Sequence, residues 1–145
     1  MNGLQFIPAC VEDIPLIFDQ CKALVDRYED KTLVDYEKVL KWLRNKVETK
    51  IAQYTCVLFN GEKAAYYCLD QGDDMWELDD LYVLPAFRNM GIGSAVIEKC
   101  IQESDKPLML YVFTENSGAI SLYKRHCFAS TEQLSATRFI MVRRT

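Results

Sequence analysis

Leu81-Tyr82-Val83-Leu84-Pro85-Ala86-Phe87-Arg88-Asn89-Met90-Gly91-Ile92-Gly93-Ser94 is the stretch around which the rest of the chain can be organised. Its first residues read as a strand that Pro85 stops. From Gly91 to about Glu103, Ile92, Ala95, Val96 and Cys100 recur on one helical face, which Ile97 and Ile101 widen. A helix opening at this point leaves its first N–H groups unpaired at the positive end of its dipole. The glycines let a bulky anion approach that backbone, so the junction suits phosphate or pyrophosphate. Arg88 either adds charge at the rim or packs on its own loop. A dinucleotide fold would want a third glycine where Val96 stands, and an early parallel βαβ unit. A Walker A loop would need Gly-Lys-Ser/Thr, which is missing.

Upstream, short connections imply antiparallel strands. Tyr54 to Phe59 is strand-rich, Asn60-Gly61 is a two-residue hairpin signal, and Lys63 to Leu69 reads as the return strand. Gly72-Asp73-Asp74 then turns the chain into a strand from Met75 to Leu84. Leu4 to Ile7 opens the chain as a short strand. Two amphipathic helices follow. One runs from Val11 to about Tyr28 through Ile14, Ile17, Phe18, Cys21, Leu24 and Val25; the other runs from about Leu33 to Val47. Their lysines, Lys46 and Lys50 among them, read as solvated faces. Downstream, the apolar run Leu108 to Phe113 predicts a strand covered on both sides. Asn116 predicts a helix N-cap, and two closing strands start at Phe128 and Thr137. No linker or composition break appears, so residues 1–145 are expected to form a single domain of the α/β (α+β) class.

Composition narrows the function. The chain has 145 residues, 50% of them apolar, with 17 basic and 21 acidic residues and a net charge of −4. That apolar share excludes a disordered tail, and the acidic balance argues against a nucleic-acid partner bound through phosphates. No apolar run is long enough to span a bilayer, so no membrane partner is expected. Six dispersed cysteines, no C-x-x-C pair and no leader-like start predict buried, reduced thiols in a cytoplasmic protein. With one histidine, His126, a metal site is poorly supplied and none is expected.

Leu81-x-Val83-x-Pro85-x-x-Arg88-x-x-Gly91-x-Gly93 resembles the acetyl-CoA signature of the GNAT superfamily of N-acyltransferases, and Asn116-x-x-Ala119-x-x-Leu122-Tyr123-x-x-x-x-Phe128 resembles that family's second motif. Cys127 stands where the family usually has Gly. The element order agrees with the family along the whole chain. The resemblance implies three α/β/α layers around a mixed, mostly antiparallel sheet of about seven strands, splayed between the fourth and fifth. It also implies roles. The backbone of Leu81, Tyr82 and Val83 pairs with the pantetheine arm of acetyl-CoA, and the Val83 N–H polarises the thioester carbonyl. Arg88 and the amides of Asn89, Met90, Gly91, Ile92, Gly93 and Ser94 surround the pyrophosphate. Asn116 meets the pantetheine, and Tyr123, a phenol protonated at neutral pH, gives a proton to the departing thiolate. A homodimer is plausible on the same ground.

Glu77, six residues before Val83, stands where several members of that family carry the general base, and Asp79 and Asp80 are its rivals. Regular alternation would put Glu77 and Asp79 on one face with Leu81 and Val83; a bulge would alter that. Plain structural readings compete throughout: Tyr123 as packing, Asn116 as a cap, His126 as a helix C-terminal charge, and most of Tyr54, Tyr66, Tyr67 and Trp76 as core. The expected activity is direct acetyl transfer from acetyl-CoA to a primary amine of a small molecule. A protein or peptide amine acceptor, or a non-catalytic acyl-CoA sensor, is the alternative.

Overall fold

The computed structural model describes residues 2–144. Strand β1 (Leu4–Pro8) leads through a short 3₁₀ turn into helices α1 (Ile14–Tyr28) and α2 (Tyr36–Lys50). Strands β2 (Tyr54–Phe59), β3 (Glu62–Gln71) and β4 (Trp76–Val83) follow, then helix α3 (Ile92–Glu103), strand β5 (Leu108–Phe113) and helix α4 (Ser117–Arg125). Strands β6 (Ala129–Gln133) and β7 (Arg138–Arg143) end the order. The strands form one sheet in the order β1-β2-β3-β4-β5-β7-β6. Every pairing is antiparallel except β4 with β5. No helix among the described residues is long and apolar enough to cross a membrane.

Local chemistry explains the joints. Asn60 and Gly61 both take positive φ, 51° and 85°, the left-handed pair that a two-residue hairpin needs. Asp35 caps α2 by accepting from the Lys38 N–H at 3.2 Å. The N-terminal end of α1 is tied to the sheet by the buried Asp13 carboxylate, which accepts from the Cys10 N–H, the Lys63 ammonium and the Tyr66 hydroxyl at 2.9, 2.7 and 2.6 Å. Burial disfavours its charge, but these donors win and lower its pKa to about 2.

Two cores lie on opposite faces of the sheet, giving the expected three layers. Ile92, Val96, Ile97, Cys100 and Tyr123 pack α3 and α4 on one face. Ile14, Ile17, Cys21, Val25, Leu43 and Val47 pack α1 and α2 on the other, over Tyr54, Cys56, Tyr66 and Cys68. Three expectations need correction. Strand β5 is only partly covered on its second side: Leu108, Leu110 and Val112 are buried and Phe113 packs against the α1–α2 core, but Tyr111 is 42% exposed. Cys10 and Cys127 are exposed, although the other four thiols are buried as expected and all six are free. Lys46 is not a solvated side chain; its ammonium is drawn inward to two carboxylates.

Candidate active site

The site begins where β4 stops following its neighbours. Beside β5 it is paired only at Trp76 with Leu108 and Glu77 with Met109, and beyond that the strands separate. On the other side, Tyr66 opposes Tyr82 and Cys68 opposes Asp79. Two steps along β3 therefore match three along β4, and the additional residue is Asp80, at φ 53°. This bulge breaks the alternation. Leu81 and Val83 join Trp76 and Leu78 in the core beneath α3 and α4, whereas Glu77, Asp79 and Asp80 face α1 and α2. The shared face expected for Glu77, Asp79, Leu81 and Val83 is thus split.

The bulge also sets which amides are free. The Leu84 N–H bonds back to the Ala64 carbonyl of β3 at 2.8 Å. Because N–H directions alternate in an antiparallel ladder, the Val83 N–H points the other way, into the gap left by β5. Arg88 takes the loop-packing role: its Nε donates to the Val83 carbonyl at 3.0 Å, and its guanidinium lies 5.2 Å from the centre of the Tyr82 ring.

Beyond Pro85, Asn89 and Gly91 take φ values of 63° and 85° before α3 starts at Ile92. Alternating left-handed residues bend successive N–H groups toward one point, an anion-binding shape. Gly93 matters for a different reason, close packing. A Cβ there would meet the Leu122 Cδ2 at 3.1 Å and the Val83 Cγ2 at 4.0 Å, so the glycine lets α3 sit against α4 and β4. Ser94, in the first turn, has its hydroxyl 3.2 Å from the His126 Nε2. Sequence reasoning missed this link, since Ser94 lies in the first turn of α3 and His126 follows the end of α4, 32 positions on.

Asn116 caps α4 by accepting from the Ala119 N–H at 3.3 Å, which leaves its Nδ2 uncommitted by the cap. At the other end of α4, the Cys127 N–H bonds the Lys124 carbonyl and the Phe128 N–H bonds the Tyr123 carbonyl, both at 3.1 Å. This is a Schellman ending with Cys127 in the left-handed position, φ 69°. The accompanying apolar contact joins Tyr123 and Phe128, ring centres 5.7 Å apart. A thiol-bearing residue therefore holds a backbone form that glycine takes freely, and the turn fixes the direction of Tyr123. The Tyr123 phenol is buried, and burial, reinforced by the nearby carboxylates Asp79 and Asp80, raises its pKa and keeps it protonated.

The three carboxylates differ. Burial opposes ionisation of Asp80, but the Lys46 ammonium at 2.8 Å and the Tyr54 hydroxyl at 2.6 Å hold its pKa below the usual carboxylate value. Asp79 is raised by burial and by the neighbouring Asp80 charge, despite Lys46 at 3.2 Å. Glu77 is raised to about 7, first by burial and then by repulsion from Asp79, with Lys50 and Lys46 opposing and Asp70 adding. Tyr54, Tyr66 and Tyr67 are core residues. On the Glu77 side, the outer end of β5 is closed by α1: Tyr28 stacks on Phe113 at 5.7 Å, and Glu29 accepts from Thr137 and pairs with Arg138. Hollows of about 300 and 340 Å³ over Phe6 and Lys99 touch neither Glu77, Val83 nor Tyr123.

A sequence model described as the acetyltransferase (GNAT) family matches residues 18–128. An uncharacterized N-acetyltransferase of Methanocaldococcus jannaschii is 32% identical over 103 residues, covering 63% of this chain and 44% of that protein, so the match spans less than half of the relative. Among solved structures, the PaiA N-acetyltransferase of Thermoplasma acidophilum, in complex with coenzyme A, is similar with a TM-score of 0.73 at 17% identity, over 98% of this chain and 99% of that one. The ribosomal-protein-S18-alanine N-acetyltransferase of Escherichia coli is similar with a TM-score of 0.68 at 18% identity, over 97% and 93% of the two chains. At those identities the structural likeness concerns the fold.

Proposed function

The chain belongs to the GNAT acetyltransferase family, and from that premise we propose that it transfers the acetyl group of acetyl-CoA directly to a primary amine of a small molecule. The observation that supports this most is the parting of β4 from β5 beyond Glu77, which leaves the Val83 N–H facing a gap. An extended pantetheine arm can pair there as a strand would, and the coenzyme A of the Thermoplasma relative is consistent with such an occupant. The turn from Asn89 to Ser94 holds the pyrophosphate on its converging N–H groups.

In this reading, acetyl-CoA supplies the activated acyl group and this chain's residues do the rest. The Val83 N–H stabilises negative charge on the thioester oxygen. Glu77, with a pKa of about 7, takes the proton of the incoming ammonium, directly or through water. The amine nitrogen forms the new bond to the acyl carbon as the C–S bond breaks, Tyr123 donates its proton to the leaving sulfur, and the second proton shed by the nitrogen restores the Tyr123 phenol. Asp80 is unsuited to act as base because Lys46 and Tyr54 already occupy its carboxylate. The closure of the outer end of β5 by Tyr28, Glu29, Thr137 and Arg138 favours a small acceptor over a protein segment.

The test is calorimetric titration with coenzyme A, followed by thiol release from acetyl-CoA with a panel of amines, amino acids and peptides. Binding together with amine-dependent release supports the reading. Binding without release for any amine supports the acyl-CoA sensor instead, and absence of binding rejects both.

A further inference from the structure

Asp80 occupies a conformation that side chains disfavour. Its φ of 53° lies in the left-handed region, where a non-glycine residue persists only if its surroundings hold it. Two elements supply that hold. Lys46 of α2 places its ammonium 2.8 Å from the Asp80 carboxylate, and Tyr54 of β2 donates its hydroxyl at 2.6 Å. Cys21 of α1 packs in the core that also contains Tyr54. The Lys46 side chain is 10% exposed and the Asp80 side chain 14% exposed. Lys46 also reaches Asp79 at 3.2 Å, and its Nζ lies 5.2 Å from the centre of the Trp42 ring.

We propose that Lys46 and Tyr54 are positioning residues of the transfer reaction: by gripping Asp80 they lock the β4 bulge in the form that turns the Leu81–Val83 backbone toward the gap. Neither residue touches the reacting atoms in this account. The bulge moves Leu81 and Val83 to the face opposite Glu77 and leaves the Val83 N–H unpaired. Releasing Asp80 lets the strand relax toward regular alternation, which rotates that amide away from the thioester. The inference rests on the proposed acetyl transfer but adds to it a link from helix α2 to the grip on the acyl donor.

The experiment is a rescue cycle. Lys46→Met removes the ammonium and keeps the stem, and kcat for acetyl transfer should fall about tenfold to a hundredfold, as for a misplaced reacting group. Asp80→Gly removes the need for a clamp, because glycine takes a left-handed φ freely, and should stay within about threefold of the parent in kcat. The double variant should match Asp80→Gly rather than Lys46→Met. Amide resonances of Leu81 and Val83, recorded without any cofactor, should shift in Lys46→Met and return in the double variant. This arm separates failure of the clamp from failure of the acetyl-transfer reading. If Lys46→Met does not fold, Tyr54→Phe removes one hydrogen bond and gives the same pattern at smaller amplitude. A folded Lys46→Met protein with unmoved Leu81 and Val83 amides, or a double variant as impaired as Lys46→Met, overturns the proposal.

Discussion

Replacing Glu77 with Gln should make the protein more stable above neutral pH and slower at its chemistry. The Glu77 carboxyl is raised from its ordinary 4.5 to about 7 by burial and by Asp79. The unfolded chain therefore loses this proton near 4.5 while the folded chain keeps it to about 7. The stabilising contribution of the protonated carboxyl is fully present below 4.5, shrinks as pH rises to 7, and is absent above that. At about 1.36 kcal/mol per pKa unit, a rise of about 2.5 units corresponds to about 3 kcal/mol. Urea denaturation of parent and Glu77→Gln, at about pH 4 and about pH 8, measures it. The gap in favour of the variant should widen by about 2 to 3 kcal/mol between those conditions, since shared titrations cancel in the comparison. The same variant should lose about 10²- to 10⁴-fold in kcat/KM above pH 7, where the parent's base is ionised. A gap independent of pH would refute the claim that this carboxyl is held uncharged by its surroundings. An unchanged rate would remove Glu77 as the base.

Other substitutions probe the remaining joints. Tyr123→Phe keeps the ring against Phe128 and should leave coenzyme A affinity, measured by calorimetry, within about threefold while lowering kcat about 10²-fold; an unimpaired rate eliminates the phenol as the acid. Asp13→Asn should cost about 2 kcal/mol near pH 7 in urea denaturation. The carboxyl's pKa, lowered from 3.8 to about 2, stabilises the fold above 3.8 and stops doing so as pH falls toward 2, so the difference between variant and parent should narrow there. Cys127→Gly relieves a left-handed φ in the turn after α4 and should raise stability by about 1 kcal/mol, read as a higher melting temperature; a loss would mean that the thiol makes a contact worth more than the strain.

Much of this architecture is legible in local chemistry. Asn60-Gly61 announces its hairpin because both residues tolerate positive φ, and Asn116 announces α4 because its side chain can replace a missing helical acceptor. The Gly91-x-Gly93 junction is readable for the same reason: backbone freedom and absent side chains are properties of single residues. Lys46 reads as solvated from sequence because its partners lie 33 and 34 positions away, and no periodicity within α2 reveals them.

The order of helices and strands, the family motifs and the candidate residues follow from interactions between near neighbours in the chain, which residue type and spacing encode directly. The side of the sheet on which each carboxylate ends, the free direction of the Val83 amide and the near-neutral titration of Glu77 do not. They depend on one extra residue at Asp80 and on the desolvation and charges brought to it by α1, α2 and β2. Electrostatic fields and strand register are sums over groups distant in sequence, so only the assembled chain sets them.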